Sequence, residues 1–262
     1  MTAATMDNRL SGRPATTTGP GLARLTQIEM RKFVDTRSGL WLLIVIGLLS
    51  GIVVGVVLFA GDESDANFAG FLEPALFPVG ILLPVLGVLT VTTEWSQRTA
   101  LTTFTLVPRR WRILVAKLVA AVIFGLFSLV VSVVFAAIGN ALAVALDRGD
   151  GSWSLTGAVV SQAALFQVLN VVMGVAFGLL LMNTAVAIVT YFVIPTAFQI
   201  ITSIVTSIQD AAAWLDLNAA MEPLSSGSMT SEDWQHLLTS SLFWIVLPLV
   251  LGGVRLLRRE VK

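Results

Sequence analysis

Residues 41–59 read WLLIVIGLLSGIVVGVVLF without one charged side chain. A helix made of such a run has no polar face to offer water, so its surroundings must be apolar along its whole length. Five further stretches are apolar over a comparable length, three without charge and two with a single charged residue each (Glu73, Lys117). Together they place spans at about 40–60, 71–93, 113–143, 158–182, 185–208 and 237–254. A hydrocarbon core about 30 Å thick takes roughly 20 residues of helix, which each run supplies. Of 262 residues, 56% are hydrophobic and 12% charged. That charged share is about half that of an ordinary soluble domain. The expected fold is an all-α integral membrane protein with six transmembrane helices.

Charge placement sets the expected orientation. The segment before the first span carries Arg9, Arg13, Arg24, Arg31, Lys32 and Arg37. The connection after the second span carries Arg98, Arg109, Arg110, Arg112 and Lys117, and the residues after the sixth carry Arg255, Arg258, Arg259 and Lys262. Only Arg148 falls elsewhere, so 15 of the 16 basic residues lie on one side of the six spans. The positive-inside rule makes that side cytoplasmic. The chain is therefore expected to be a multi-pass protein of the plasma (inner) membrane with both termini cytoplasmic. Residues 1–21 read as a disordered cytoplasmic tail and not a signal peptide; residues 255–262 read as a short basic tail. The acidic connections at 61–70, 147–157 and 209–236 are expected outside.

Between the tail and the first span, residues 22–38 place Leu22, Leu25, Ile28 and Phe33 at roughly helical spacing among Arg24, Glu29, Arg31 and Lys32. This predicts an amphipathic helix in the headgroup plane. The second span carries Pro74, Pro78 and Pro84, and the carbonyls that these prolines leave free need donors from neighbouring helices or water. Gly47, Gly51 and Gly55 in the first span, and Gly174 and Gly178 in the fourth, recur every four residues and allow helix backbones to approach closely. Gln167 and Asn170 in the fourth span, and Thr196, Gln199, Ser203 and Thr206 in the fifth, form polar faces inside apolar runs. Such side chains turn toward other helices or toward an aqueous path. Near the start of the sixth span, Ser231 and Asp233 are expected to cap a helix beginning near Trp234.

Several kinds of chemistry have no residues to carry them. The chain has no cysteine and one histidine, His236, so thiolate or histidine metal clusters and cysteine nucleophiles are excluded. No phosphate-cradling GxxxxGK[ST] loop occurs, and every aspartate falls in a tail or a loop. A net charge of +0 gives no bias toward nucleic acid. No catalytic role is expected of this chain, and no metal or cofactor in it. The one extended basic connection, residues 94–117, interleaves arginines with Leu101, Phe104 and Leu106, a composition suited to docking a partner.

Taken together, the pattern resembles the membrane-spanning permease subunits of type-2 ATP-binding-cassette (ABC) exporters. The resemblance rests on Glu29-Met30-Arg31-Lys32 and Thr36-Arg37-Ser38 leading into the first span. It rests further on Glu94-Trp95-Ser96-Gln97-Arg98-Thr99, Thr105-Leu106-Val107-Pro108-Arg109-Arg110 and Ala116-Lys117-Leu118 after the second, and on the long interval at 209–236. It implies a cytoplasmic coupling helix between spans two and three that docks on a separate soluble ATPase subunit, which binds ATP and Mg. Glu94, Arg98 and Thr99 would lie at or beside that element, and Arg109, Arg110 and Lys117 on the return into span three. It also implies short external re-entrant helices between spans five and six, and a dimer with a second copy or a sister permease. Spans two and five would line the path, with Gln167, Asn170, Thr196, Gln199 and Ser203 as candidate lining. An amphipathic or lipid-like substrate suits a lining so poor in charge. The alternative is a non-transporting membrane scaffold or immunity-type protein, in which the same basic connection anchors a partner without an ATP cycle.

Overall fold

A computed structural model describes residues 20–62, 66–97, 99, 105, 107 and 109–258 of the chain. The chain is all-helical across these residues. Helix α1 (Leu22–Asp35) is followed by α2 (Arg37–Ala60), α3 (Phe68–Ser96), α4 (Arg110–Ala145), α5 (Gly157–Leu181) and α6 (Thr184–Ile204). A 3-10 turn (Thr206–Ile208) then leads through the short helices α7 (Gln209–Ala213) and α8 (Leu217–Ser226) to α9 (Ser231–Ser241) and α10 (Leu247–Arg258). A π-helical turn at Leu242–Val246 joins α9 to α10, and the two run as one helix, Ser231–Arg258. Among the described residues, that helix and α2 to α6 are the six long and apolar enough to cross a membrane.

The helix ends follow from local capping. Thr36 is extended, and its hydroxyl accepts the Gly39 amide. One residue thereby closes α1 and opens α2, so Arg37 and Ser38 belong to the first span and not to the preceding amphipathic helix. Met182, in the left-handed region (φ 52°), stops α5, and Asn183 caps α6 by accepting from the Val186 amide. Ahead of α9, Thr230 and Asp233 form a reciprocal capping box. The cap is therefore Thr230 and not the Ser231 that the sequence suggested. The helix starts at Ser231, ahead of Trp234, because a threonine with an acid three residues on satisfies two amides at once.

α3 is the most enclosed of the six spans and packs along α5. Its contact with α5 is backbone on backbone. A Cβ placed on Gly174 would sit 2.2 Å from the Pro84 carbonyl, and one on Gly87 would sit 2.5 Å from the Val171 carbonyl. Only glycine admits that approach. Neighbouring helices donate to two carbonyls beside the prolines of α3. Among the described residues they do not donate to those of Gly70, Pro74 and Gly80, which lose their intrahelical donors to Pro74, Pro78 and Pro84. The Ser132 hydroxyl of α4 donates to the Ala75 carbonyl (3.2 Å), and Gln167 Nε2 of α5 donates to the Leu76 carbonyl (3.3 Å). In α2, by contrast, Gly47 and Gly55 face open space and Gly51 meets only the Phe135 ring, 3.4 Å from its would-be Cβ.

Both described termini lie at one end of the bundle. Arg112 Nη2 donates to the Pro20 carbonyl (2.8 Å) and Arg110 Nη1 to the Leu256 carbonyl (3.3 Å), so the start of α4 touches the first and last turns of the chain. Arg255 donates to the Leu180 carbonyl at the same end. The opposite end is fastened separately. Phe68 stacks on Trp153 with ring centroids 5.5 Å apart. Trp244 Nε1 donates to the Leu215 carbonyl (2.7 Å), holding the α7–α8 connection against the last span.

Candidate functional site: a buried ion cluster and its cavity

The strongest electrostatic feature lies at the termini end, where α1 meets the end of α3 and the beginning of α4. α1 packs there through Leu25, Thr26, Glu29 and Phe33, all buried. Phe33 lies against Phe124 of α4 with centroids 4.2 Å apart. Ile28, which the spacing places on the apolar face with Leu25 and Phe33, is 43% exposed and lies off the packed stripe. Glu29 takes a place on the packed stripe, between Leu25 one turn before and Phe33 one turn after.

Glu29 is tolerated there because it is doubly paired. Its carboxylate oxygens accept from Lys32 Nζ and from Lys117 Nζ, each at 2.7 Å. Glu94 Oε1, at the last turn of α3, accepts from the same two ammonium groups at 2.7 and 3.0 Å. Lys117 Nζ makes a third bond to the Thr90 carbonyl, also 2.7 Å, so all three of its donors are used. The four charges sum to zero, and their side chains are 3% (Lys117), 7% (Glu29), 8% (Glu94) and 41% (Lys32) exposed. Burial works against the Lys32 ammonium, but Glu29 and Glu94 outweigh it and hold its pKa above the ordinary lysine value.

Beside the cluster lies a cavity of about 880 Å³. α1 contributes Arg24, Ile28 and Lys32, which are spaced four residues apart and so share a stripe, and α3 contributes Leu86, Leu89, Thr93, Glu94 and Gln97. Thr36, Gly39 and Ile113 add to its walls from α2 and α4, and Thr99 and the buried Val107 line it too.

Of the coupling residues read from sequence, Glu94 and Lys117 are thus brought into direct contact, and both face inward. Thr99 is exposed, its amide donating to the Glu94 carbonyl (3.0 Å). Arg109 is exposed at the start of α4, and Arg110 bonds the Leu256 carbonyl. Arg98 lies outside the described residues, as does most of the connection expected to form a coupling helix. Glu29 and Lys32 complete the cluster and were not among the candidates. Of the two, Glu29 left a signal in the sequence, since it falls on the apolar stripe of α1; Lys32 left none.

The second set divides. Gln167 is fully buried against α3. Asn170 donates to the Phe166 carbonyl (2.9 Å) and accepts from the Tyr191 hydroxyl (2.9 Å), tying α5 to α6. Tyr191 was not anticipated. Thr196 and Ser203 lie exposed on α6, and Gln199 Oε1 accepts from Asn218 Nδ2 of α8 at 3.4 Å. Those three share an open face and stay apart from Gln167 and Asn170. A scan against known protein families and a search of curated proteins returned no match for the chain.

Proposed function

We propose that this chain is the permease subunit of an ATP-driven ABC exporter. It forms the path for an amphipathic or lipid-like substrate, and a separate ATPase subunit that binds ATP and Mg drives it. The observation that carries the proposal beyond resemblance is the ion cluster. It fastens α1 to the end of α3 and the start of α4, which are the two ends of the connection on which the ATPase is proposed to dock. A push on that connection then moves α1, α3 and α4 together, and α3 is the helix around which the bundle packs. Docking in two nucleotide states acts on transport only through such a difference in contacts. The inward-facing Glu94 and Lys117 serve as the fastening, while exposed Thr99 and Arg109, with Arg98, offer the docking face.

On this reading the termini end is cytoplasmic, the membrane is the plasma (inner) membrane, and α7 and α8 are the external re-entrant pair. α6 supports a dimer, since Val189, Val193, Ile200 and Ile204 are exposed along it beside Thr196 and Ser203. That face, with Gln199, lines the proposed path, and Gln167 and Asn170 brace its wall from behind.

The test is to reconstitute the chain with its ATPase and measure hydrolysis and transport together. The Glu94→Gln variant is expected to insert normally and sustain hydrolysis while transport falls. Unchanged transport in a normally folded Glu94→Gln protein contradicts the coupling role.

A further inference from the structure

The cavity at the termini end has the polarity profile of one molecular class. Along α3 its wall runs from Leu86 and Leu89 to Thr93 and Gln97, a climb of about 16 Å at 1.5 Å per residue. The deep end is apolar and the mouth polar. Ile28 adds an exposed apolar side chain from α1. The volume of about 880 Å³ lies within the roughly 300–1,000 Å³ of small-molecule sites. An inorganic ion has no use for the leucines, and a pure hydrocarbon has none for the mouth.

The charge of the mouth selects further. Glu29, Lys32, Glu94 and Lys117 cancel one another. Arg24 lines the same cavity and has no carboxylate within ion-pair distance among the described residues, so one positive charge remains. Lys32 adds a donor: it lines the cavity, and two of its three N–H groups go to Glu29 and Glu94, which leaves one for a ligand. A guanidinium and an ammonium N–H on one helical stripe suit a phosphate oxyanion.

We propose that this cavity holds one anionic phospholipid, its phosphate over the Arg24–Ile28–Lys32 stripe against Arg24 and Lys32 and an acyl chain against Leu86 and Leu89. The lipid wedges α1 against α3 next to the ion cluster. The site is independent of the exporter reading, because it needs neither nucleotide nor a partner subunit.

The experiment is native mass spectrometry of the full chain, purified in mild detergent and exposed to equal amounts of phosphatidylglycerol and phosphatidylcholine. One phosphatidylglycerol per chain is expected to survive activation in preference to phosphatidylcholine. Arg24→Gln is expected to reduce that preference about tenfold, the worth of one charge-assisted hydrogen bond. Arg24 is exposed and makes no ion pair among the described residues, so the variant should fold. Arg31→Gln removes the same charge from an exposed position outside this cavity and is expected to leave the preference intact. Leu89→Trp fills the apolar end and is expected to reduce retention of both lipids. Glycerol 3-phosphate in millimolar excess is expected not to displace the lipid. Equal effects of Arg24→Gln and Arg31→Gln, or no retained lipid in the unaltered chain, would overturn the proposal. Displacement by glycerol 3-phosphate would do so too, assigning the mouth to a free phosphate.

Discussion

Lys117 has no route to water: its ammonium is enclosed by Glu29, Glu94 and the Thr90 carbonyl. Removing one partner of a buried ion pair leaves the others uncompensated at a cost of about 3–5 kcal/mol. Lys117→Met is therefore predicted to lower unfolding stability by that order, measured by denaturant titration in detergent. Lys32→Met should cost distinctly less, because its side chain is 41% exposed. The raised pKa of Lys32 also fixes a direction with pH. A group held above its unfolded value stabilises fully below that value, about 10.4 for lysine, and loses its contribution as pH rises through the folded one. Lys32 joins α1 to the end of α3 through Glu94. The distance between those two elements, read between spin labels, is predicted to be constant from pH 7 to about pH 10 and to lengthen above it, with Lys32→Met abolishing that transition. The two most deeply buried members of the cluster, Glu29 and Lys117, were legible one at a time. An acid on the apolar stripe of α1 and a lysine inside an apolar run each break a pattern. That they meet each other was not legible, because residues 29 and 117 are joined only by the packing of α1 on α4.

Among elements, the α3–α5 contact carries the sharpest demand on sequence. Gly174→Ala drives a methyl into the Pro84 carbonyl, and because backbone cannot yield as a side chain can, the helices must separate. A loss of about 1–3 kcal/mol is predicted, the usual range for overpacking. Gly47→Ala, into open space, should be neutral within about 0.5 kcal/mol. Thermal unfolding of the two variants side by side checks this, and equal behaviour would contradict the packing described. Glycine spacing pointed to both stripes alike, and only the assembled bundle separates them: Gly174 and Gly178 meet α3, while a Cβ on Gly47 or Gly55 would have no described neighbour within 4 Å. The long helices were legible because hydropathy over some twenty residues dominates every local preference. The details of 209–236 were not, since α7 and α8 owe their places to contacts such as Trp244 with the Leu215 carbonyl, which no local pattern encodes.

For the whole molecule, the basic residues and the geometry agree on one end. Arg110, Arg112 and Arg255 cluster where the described termini meet, and Arg148 lies at the other end, its guanidinium on the Phe59 carbonyl (3.4 Å). The chain has no cysteine, so single cysteines report topology directly. A membrane-impermeant maleimide is predicted to label Ser228→Cys in intact cells and Thr99→Cys only after permeabilisation. The reverse pattern would invert the orientation and remove the docking face from the cytoplasm. The central claim, that this chain is driven by a separate ATPase, is tested most directly by purifying the tagged chain from its source cells in mild detergent. Its stoichiometric partners are then identified by mass. A co-purifying subunit with a phosphate-binding loop, whose ATP turnover depends on this chain, is the predicted result. Recovery of the intact chain with no nucleotide-binding partner, under conditions that preserve membrane complexes, would contradict the exporter reading and favour the scaffold.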